Sequence, residues 1–231
     1  KLFIREDGSS VGSLGSQAID NDAILRSKQL MVHGANEYVV TENGTEYFIE
    51  GYTSPPKLIL VGGGHVSKAI SSLADKLGFH VYVTDDRSEF ANKERFPEAK
   101  NTVAMQPEDA LQQIHITKNS FIVVATRGHR YDSVALAAAA KTSASYVGLL
   151  GSKRKIILIY EDLIKMGLPK DRIKELRAPI GLEINARTPD EIAISIISEM
   201  LMFRLGGSGQ NMKLDNKLIE NIFSKHAKAL S

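Results

Sequence analysis

The alternation of apolar and polar positions divides the chain into a β-rich beginning and a longer part in which strands and helices alternate. Residues 2–4 predict a short strand that ends at the turn signal Asp7-Gly8. Residues 11–16 are expected to form a loop, and the helical spacing of apolar positions over residues 17–34 predicts a helix. A second hairpin is expected around Asn43-Gly44, because strand-like runs flank this turn signal on both sides.

Two consecutive prolines, Pro55 and Pro56, mark an expected domain boundary. The small β-rich domain before them, residues 1–54, opens directly with strand-like residues, so further residues are expected before Lys1. From residue 57 onward, apolar runs alternate with helical segments, which is typical of an α/β fold. We therefore predict a Rossmann-like, doubly wound parallel sheet within residues 55–205, with strands at 57–61, 80–84, 102–104, 121–125 and 145–150 and helices at 65–77, 107–114, 132–141 and 153–166.

The end of the chain is expected to contain two more helices. A polar segment follows the helix at 153–166 and runs to Arg177. Thr188 is a typical helix cap and Pro189 is favoured in a first turn, so a helix is expected to begin there and to run to Leu205. The glycine-rich residues 206–209 are expected to be a flexible break, and the spacing of apolar positions predicts a final helix over residues 213–229. Residues 206–231 are therefore treated as a separate C-terminal segment.

Composition excludes several classes of protein without indicating a function. Of the 231 residues, 43% are hydrophobic and 24% charged, and the formal net charge of +2 gives no general reason to expect a nucleic acid partner. No apolar run approaches the roughly 20 residues that span a bilayer, and no signal-peptide pattern is present, so a cytoplasmic protein is expected. The chain has no cysteine, which excludes disulfides, thiolate metal sites and cysteine nucleophiles within it, and no metal site is predicted.

A glycine-rich turn joins the first strand of the predicted sheet to its helix, and we call it the glycine turn: Gly62, Gly63, Gly64, His65 and Val66. Its first and third glycines fit the dinucleotide-binding fingerprint, with Ser67 where a third glycine is usual, and Asp85 ends the next strand where a carboxylate would bind a ribose hydroxyl. The pattern predicts a nucleotide or related phosphate ligand. The alternative is that these glycines only tighten the turn. Arg87 is interpreted as a phosphate contact or as a solvated loop charge.

Two further loops follow predicted strands and carry polar and cationic side chains. After the fourth strand, Thr126 and Arg127 precede His129 and Asp132, and His129 is the best titratable candidate near neutral pH. This loop predicts an anion-binding or acid/base site; the alternative is that Asp132 caps the following helix and the rest is solvated. After the fifth strand, a glycine and a hydroxyl lead into three consecutive cations at a helix start, which again predicts an anion site or a solvated face: Gly151, Ser152, Lys153, Arg154 and Lys155.

A fourth segment carries acidic residues near a proline-glycine loop. Gly181 and Glu183 lie in Pro-Ile-Gly-Leu-Glu-Ile, and Glu191 and Glu199 follow on one predicted helix face. Apolar residues surround Glu199, so its carboxylate needs a partner if it is buried, and Lys153 or Arg154 are the candidates. The alternative is that Glu199 lies on an exposed edge of the helix.

Taken in order, these segments resemble the XdhC/CoxI family of xanthine dehydrogenase accessory proteins. The resemblance runs over about residues 50–205, and the ordered set of stretches is far more specific than any one of them. The matching stretches are residues 55–66, 84–92 with 95–97, Gly128-His129, residues 146–155, and residues 179–184 with 188–193.

The resemblance implies a small N-terminal domain, a Rossmann-type C-terminal domain and a tendency to form homodimers. It also implies that the chain binds the molybdenum cofactor, a pterin, and assists its insertion into a xanthine dehydrogenase-like molybdenum hydroxylase, as a chaperone rather than a catalyst. The glycine turn and the cationic loops suit the phosphate of such a cofactor. In one departure, many members carry Cys-Gly-Gly where this chain has Asn43-Gly44-Thr45, so no thiol of this chain can contact molybdenum.

Two other functions stay open at the level of sequence. The fingerprint and Asp85 are compatible with an NAD(P)-dependent oxidoreductase, and Asp85 favours NAD over NADP. The last predicted helix is basic and is compatible with a scaffold that docks a dehydrogenase partner, or with a solvated surface, through Lys213, Lys217, Lys225 and Lys228.

Overall fold

Residues 1–50 fold into two antiparallel hairpins and a long helix. The first hairpin pairs β1 (Leu2–Ile4) with β2 (Ser10–Gly12). Helix α1 (Gln17–His33) follows, and the second hairpin pairs β3 (Asn36–Val40) with β4 (Glu46–Glu50). The computed structural model describes residues 1–227, and for His129, Arg130, His226 and Ala227 it describes the backbone alone.

Both predicted hairpins and the helix between them are confirmed, but the predicted loop at residues 11–16 is partly wrong. Val11 and Gly12 belong to β2, where they pair with Phe3 and Leu2. The turn at Asp7-Gly8 brings these residues back along β1. No local signal marks this strand, because β2 is exposed along its whole length and therefore has no apolar alternation.

A parallel sheet of five strands forms the centre of the longer part of the chain. Its strands run in the order β7-β6-β5-β8-β9. The predicted Rossmann-like doubly wound sheet is therefore confirmed. Because the order reverses between β5 and β8, the topological switch point lies at the end of β5, where such folds bind ligands. The strands are β5 (Lys57–Val61), β6 (His80–Asp85), β7 (Asn101–Ala104), β8 (Ser120–Val124) and β9 (Tyr146–Leu149).

Helices cover both faces of this sheet, which is why its central strands are continuous apolar runs. On one face, Leu58 and Leu60 of β5 pack against α2 and α7; on the other, Ile59 and Val61 pack against α4 and α5. No helix within residues 1–227 is both long and apolar enough to cross a membrane. The helices of this part are α2 (His65–Lys76), α3 (Pro107–Gln113), α4 (His129–Ala140), α5 (Lys153–Lys165), α6 (Lys170–Glu175), α7 (Pro189–Leu205) and α8 (Asn216–Ala227).

Two predictions about the helices need correction or completion. The polar segment up to Arg177 contains α6, which the sequence analysis does not predict. It is a single short helix with one buried residue, Ile173, which is too little for a recognisable period. The final helix begins at Asn216 rather than at residue 213, and residues 228 and 229 of the predicted range lie outside the described residues.

The start of α7 follows the expected chemistry. Thr188 accepts a hydrogen bond from the Glu191 amide, and the Glu191 carboxylate accepts from the Thr188 amide in return. This reciprocal pair is a capping box, which satisfies two amides that a helix end otherwise leaves without partners. Glu191 is therefore used to begin the helix.

The buried carboxylate of Glu199 ties α7 to β9. Glu199 is only 9% exposed, and its Oε2 accepts hydrogen bonds from the Tyr146 hydroxyl at 2.6 Å and the Gly181 amide at 2.8 Å. Burial and the bond to Glu199 raise the pKa of Tyr146. The predicted pairing with Lys153 or Arg154 is wrong, because α5 covers the other face of the sheet.

Removing this carboxylate should destabilise the protein. Glu199→Ala leaves the buried Tyr146 hydroxyl and the partly buried Gly181 amide without this acceptor, and a buried donor without an acceptor costs about 1–3 kcal/mol of unfolding free energy. Glu199→Gln keeps an acceptor oxygen and should cost less. Urea denaturation followed by circular dichroism measures the difference, with the exposed Glu161→Ala as the control. Equal midpoints for Glu199→Ala and the control would contradict this role.

Candidate functional site

Four loops meet at the carboxyl edge of the sheet, where β5, β6, β8 and β9 end. The glycine turn follows β5, Asp86 and Arg87 follow β6, Thr126 follows β8 and Ser152 follows β9. We call this region the carboxyl edge. The strands are parallel, so their ends lie side by side and most of the predicted site residues come together there.

The first two glycines of the glycine turn are required by packing within the chain. A Cβ atom on Gly62, which has a φ of +107°, would lie 2.3 Å from the Ala125 carbonyl oxygen. A Cβ atom on Gly63 would lie 1.8 Å from the Phe90 carbonyl oxygen. These two positions therefore fit the alternative interpretation, in which glycine allows a tight turn.

Gly64 differs from both of its neighbours. A Cβ atom built on Gly64 would meet no atom within 4 Å, so the space beside this residue is open. Gly64 also begins α2 without a side-chain cap, and within the described chain the first turn of α2 contains no acidic residue. The first amides of a helix have no intrahelical acceptor and carry the positive end of the helix dipole. Gly64, exposed His65 and half-buried Val66 therefore form an open end suited to an anion.

Asp85 is already bound within the protein. Its carboxylate accepts hydrogen bonds from the Gly63 amide at 2.8 Å and the Arg87 amide at 3.1 Å, and it forms a two-point pair with the Arg87 guanidinium at 2.9 and 3.1 Å. Burial alone would raise the pKa of Asp85, but the bonds from Arg87 and the two amides outweigh it and lower the pKa. These contacts disfavour the binding of a ribose hydroxyl by Asp85. They also occupy one edge of the Arg87 guanidinium.

The loop after β6, which no site prediction includes beyond Arg87, covers the glycine turn. Arg95 donates from Nε to the Gly63 carbonyl at 2.8 Å, and Phe90 lies between Arg95 and Arg87. Residues 88–97 have no helical or strand period, so only their likeness to the family could have pointed to them. Gly63 is thus held on both sides, through its amide by Asp85 and through its carbonyl by Arg95.

Asp132 joins the loops that follow β8 and β9. It is 0% exposed, its Oδ1 accepts from the Thr126 hydroxyl at 2.6 Å, and its Oδ2 forms an ion pair with Lys155 of α5. The interpretation of Asp132 as a helix cap is wrong, because Gly128 occupies the cap of α4 and Asp132 lies one turn inside the helix. Thr126 and Lys155 therefore hold a buried carboxylate at the floor of the carboxyl edge.

The start of α5 is the second helix end at this edge. Ser152 caps it by accepting from the Lys155 amide, and Lys153 and Arg154 are exposed. Among the described residues, no acid occupies its first turn, as in α2. A Cβ atom built on Gly151, which precedes the cap, would lie 3.4 Å from the aliphatic part of Lys155. This end therefore offers both helix-end amides and exposed cations to an anion.

The crevice between β5 and β8 is narrow. Arg127, which is 57% exposed, approaches Asp86 across it at 3.4 Å. The space beneath, lined in part by Gly62, Asp85 and Thr126, measures about 10 Å³, which suits one water molecule. A ligand of pterin size must therefore lie over the outer side of the edge or move these loops. The backbone of His129 begins α4 here, and its side chain lies outside the described part of the structure.

Gly181 and Glu183 lie beyond β9. The preceding segment runs beside β9, with Arg177 bridged to Gly148, and the Gly181 amide is bound to Glu199. Glu183 is exposed and accepts from the Asn185 amide at 3.1 Å. The described contacts of these two residues are with α7 and their own loop, so the structure does not join them to the glycine turn.

Comparison with known proteins identifies the family. Residues 58–200, well over half of the chain, match the family described as the XdhC Rossmann domain. The chain belongs to the XdhC family. The match covers β5 through most of α7, and therefore includes every loop of the carboxyl edge.

Three relatives of this XdhC chain are longer proteins, and the chain matches a part of each. It is 31% identical over 90% of its length to the uncharacterized protein YqeB of Escherichia coli K12, and 30% identical over 69% to a probable xanthine dehydrogenase subunit of Bacillus subtilis 168. It is 23% identical over 68% of its length to the molybdenum cofactor insertion chaperone PaoD of Escherichia coli K12. The chain spans 41%, 46% and 43% of these three proteins, less than half of each.

A solved structure supports the fold. A crystal structure described as a xanthine dehydrogenase from Bacillus halodurans superposes with a TM-score of 0.57 at 22% identity. The alignment covers 79% of this XdhC chain and 66% of the other. At 22% identity, this likeness supports the fold alone.

The three glycines should respond differently to substitution. Gly62→Ala and Gly63→Ala force the neighbouring carbonyls apart and should each lower the unfolding free energy by about 1–3 kcal/mol or more. Gly64→Ala adds a methyl group in open space at an ordinary φ of −67°, so stability should change by less than about 0.5 kcal/mol. Thermal melts of the three variants measure this, and equal losses in all three would contradict the distinction.

The pair of Asp132 and Lys155 should stabilise the folded protein. Lys155→Met leaves a fully buried carboxylate without its cation, which should cost about 3–5 kcal/mol of unfolding free energy. Lys153→Met, at an exposed position two residues earlier, is the control and should cost little. Urea denaturation compares the two, and a Lys155→Met variant as stable as the control would show that Asp132 does not depend on this pair.

Proposed function

We propose that this XdhC protein binds the molybdenum cofactor at its carboxyl edge and assists insertion of that cofactor into a xanthine dehydrogenase-type molybdenum hydroxylase. The family membership and the names of two relatives support an accessory role connected with this cofactor. The cofactor is treated as cargo, and the protein as a chaperone rather than a catalyst. The cytoplasmic location and the homodimer remain predictions.

The observation that carries the proposal is the pair of helix ends at the carboxyl edge. The first turns of α2 and α5 both lack acids within the described residues, Gly64 opens one end, and Lys153 and Arg154 flank the other. A phosphate is the part of a pterin cofactor that such groups bind well, through amides and charge-assisted hydrogen bonds. The residues present therefore fit the phosphate of the cofactor.

Each part of the edge has a task in this proposal. The amides of Gly64, His65 and Val66 bind the phosphate, and Arg154 and Lys153 neutralise its charge. Thr126 and Lys155 hold Asp132, and thereby keep the loops after β8 and β9 in place. The backbone of His129 begins α4 at the same edge, and His129 stays a proposed member of this site from its place in the sequence.

The alternative of an NAD(P)-dependent oxidoreductase has less support. Its strongest sequence feature is Asp85, and the structure uses that carboxylate to hold Gly63 and Arg87. The scaffold hypothesis keeps one observation in its favour, because α8 exposes apolar positions at Leu218, Ile222 and Phe223. Of the four lysines named for this hypothesis, Lys213 precedes α8, and Lys228 lies outside the described residues.

Binding of the cofactor should depend on the cation at the start of α5. Anaerobic calorimetry of the full chain with molybdenum cofactor should show saturable binding, and Arg154→Ala should weaken it by about tenfold, the effect of one charge-assisted contact. Lys170→Ala removes an exposed cation at the start of α6 and serves as the control. An absence of cofactor binding, or equal affinities for the two variants, would contradict the proposal.

A further inference from the structure

The glycine turn has one open side and one side closed by the chain itself. At Gly64 the space is free, whereas at Gly63 the Phe90 carbonyl occupies the position in which a side chain would begin. In dinucleotide-binding folds, the pyrophosphate lies over the helix end and the adjoining ribose lies against the acid after the second strand. The open side here corresponds to the phosphate position, and the closed side faces Asp85, the ribose position.

Three side chains close the second side. The guanidinium carbon of Arg87 lies 3.6 Å from the centre of the Phe90 ring, and that of Arg95 lies 5.1 Å from it. Arg95 is fixed by its bond to the Gly63 carbonyl, and Arg87 by its two-point pair with Asp85. We call this group the closing stack. Cation–π attraction between these two guanidinium groups and the Phe90 ring helps to hold the ring in place.

The acceptors of Asp85 are also in use. Its two oxygens receive four hydrogen bonds, two from backbone amides and two from the Arg87 guanidinium, and the side chain is 4% exposed. A ribose hydroxyl could reach Asp85 only by displacing Arg87, which would leave a buried charge without its partner. Asp85, the acid that would bind a ribose, therefore has no free acceptor for a ligand at the glycine turn.

We propose that the glycine turn accepts a phosphate monoester and excludes a nucleoside beside it, with Arg87 as the residue that sets this specificity. This inference rests on the proposed function and narrows its ligand: the cofactor form taken here is a pterin with a terminal phosphate, without an attached nucleotide at Asp85. Gly64 and the first amides of α2 bind the phosphate, and the closing stack fills the space that a nucleoside would need.

Two small probes separate the phosphate from the nucleoside. Methyl phosphate and AMP are both phosphate monoesters of the same charge, and they differ in the nucleoside. Titration of the full chain, labelled with nitrogen-15, should shift the amides of Gly64, His65 and Val66 saturably with either probe. AMP should bind no more than about threefold tighter than methyl phosphate, because the nucleoside gains no contact and the closing stack fills the space beside the turn. AMP binding tighter than that would overturn the inference.

Arg87→Ala tests which residue sets the specificity. Without its guanidinium, Asp85 is free to accept ribose hydroxyls, so AMP should bind about tenfold tighter relative to methyl phosphate. Glu89→Ala, an exposed change on the same loop, should leave the ratio at its wild-type value. A folded Arg87→Ala variant with an unchanged ratio would remove Arg87 from this role. If a thermal melt shows that this variant does not fold, Arg87→Lys, which keeps a cation but loses the two-point pair, replaces it with the same expected direction.

The outcomes distinguish this inference from the proposed function. Molybdenum cofactor binding together with tight AMP binding would overturn the specificity and keep the chaperone role. AMP binding no tighter than methyl phosphate, without any cofactor binding, would overturn the chaperone role and keep the specificity. If neither methyl phosphate nor AMP shifts the amides of Gly64 to Val66, the glycine turn is not an anion site and the inference is wrong.

Discussion

The hydrogen bonds around Gly63 are the constraint on which the carboxyl edge depends. Asp85 holds the amide of this glycine and Arg95 holds its carbonyl, so the peptide has one orientation. Because Gly63 lacks a side chain, the loop that carries Phe90 can lie directly on it. This arrangement leaves open space beside Gly64, at the start of α2, which is where we propose that the phosphate binds.

The sheet brings a second helix end to the same place. β5 and β9 are separated only by β8, and the helices that follow both strands begin at the carboxyl edge. Asp132 connects the loops between them through Thr126 and Lys155. The charge of Lys155 is thus used within the protein, while Lys153 and Arg154 are exposed. In the proposed function, Lys155 stabilises the fold and the neighbouring cations Lys153 and Arg154 bind the ligand.

The strands of the parallel sheet, the glycine turn and most helices could be predicted because their signals are local. Runs such as Phe121 to Val124 are apolar throughout, since both faces of the sheet are covered. The partner of Glu199 could not be predicted, because the sequence does not say which face of the sheet α7 covers. The roles of Phe90 and Arg95 could not be predicted for a similar reason: both depend on a loop that returns over a turn about 30 residues earlier, and no periodic pattern records such a return.

The most direct test of cofactor binding at the carboxyl edge is hydrogen–deuterium exchange of the full chain with and without molybdenum cofactor, under anaerobic conditions. We predict slower exchange on binding at residues 62–68, 126–132 and 151–155, and no change in the β3–β4 hairpin. Protection confined to the hairpins, or to the face of the sheet away from the carboxyl edge, would contradict this location for the cofactor.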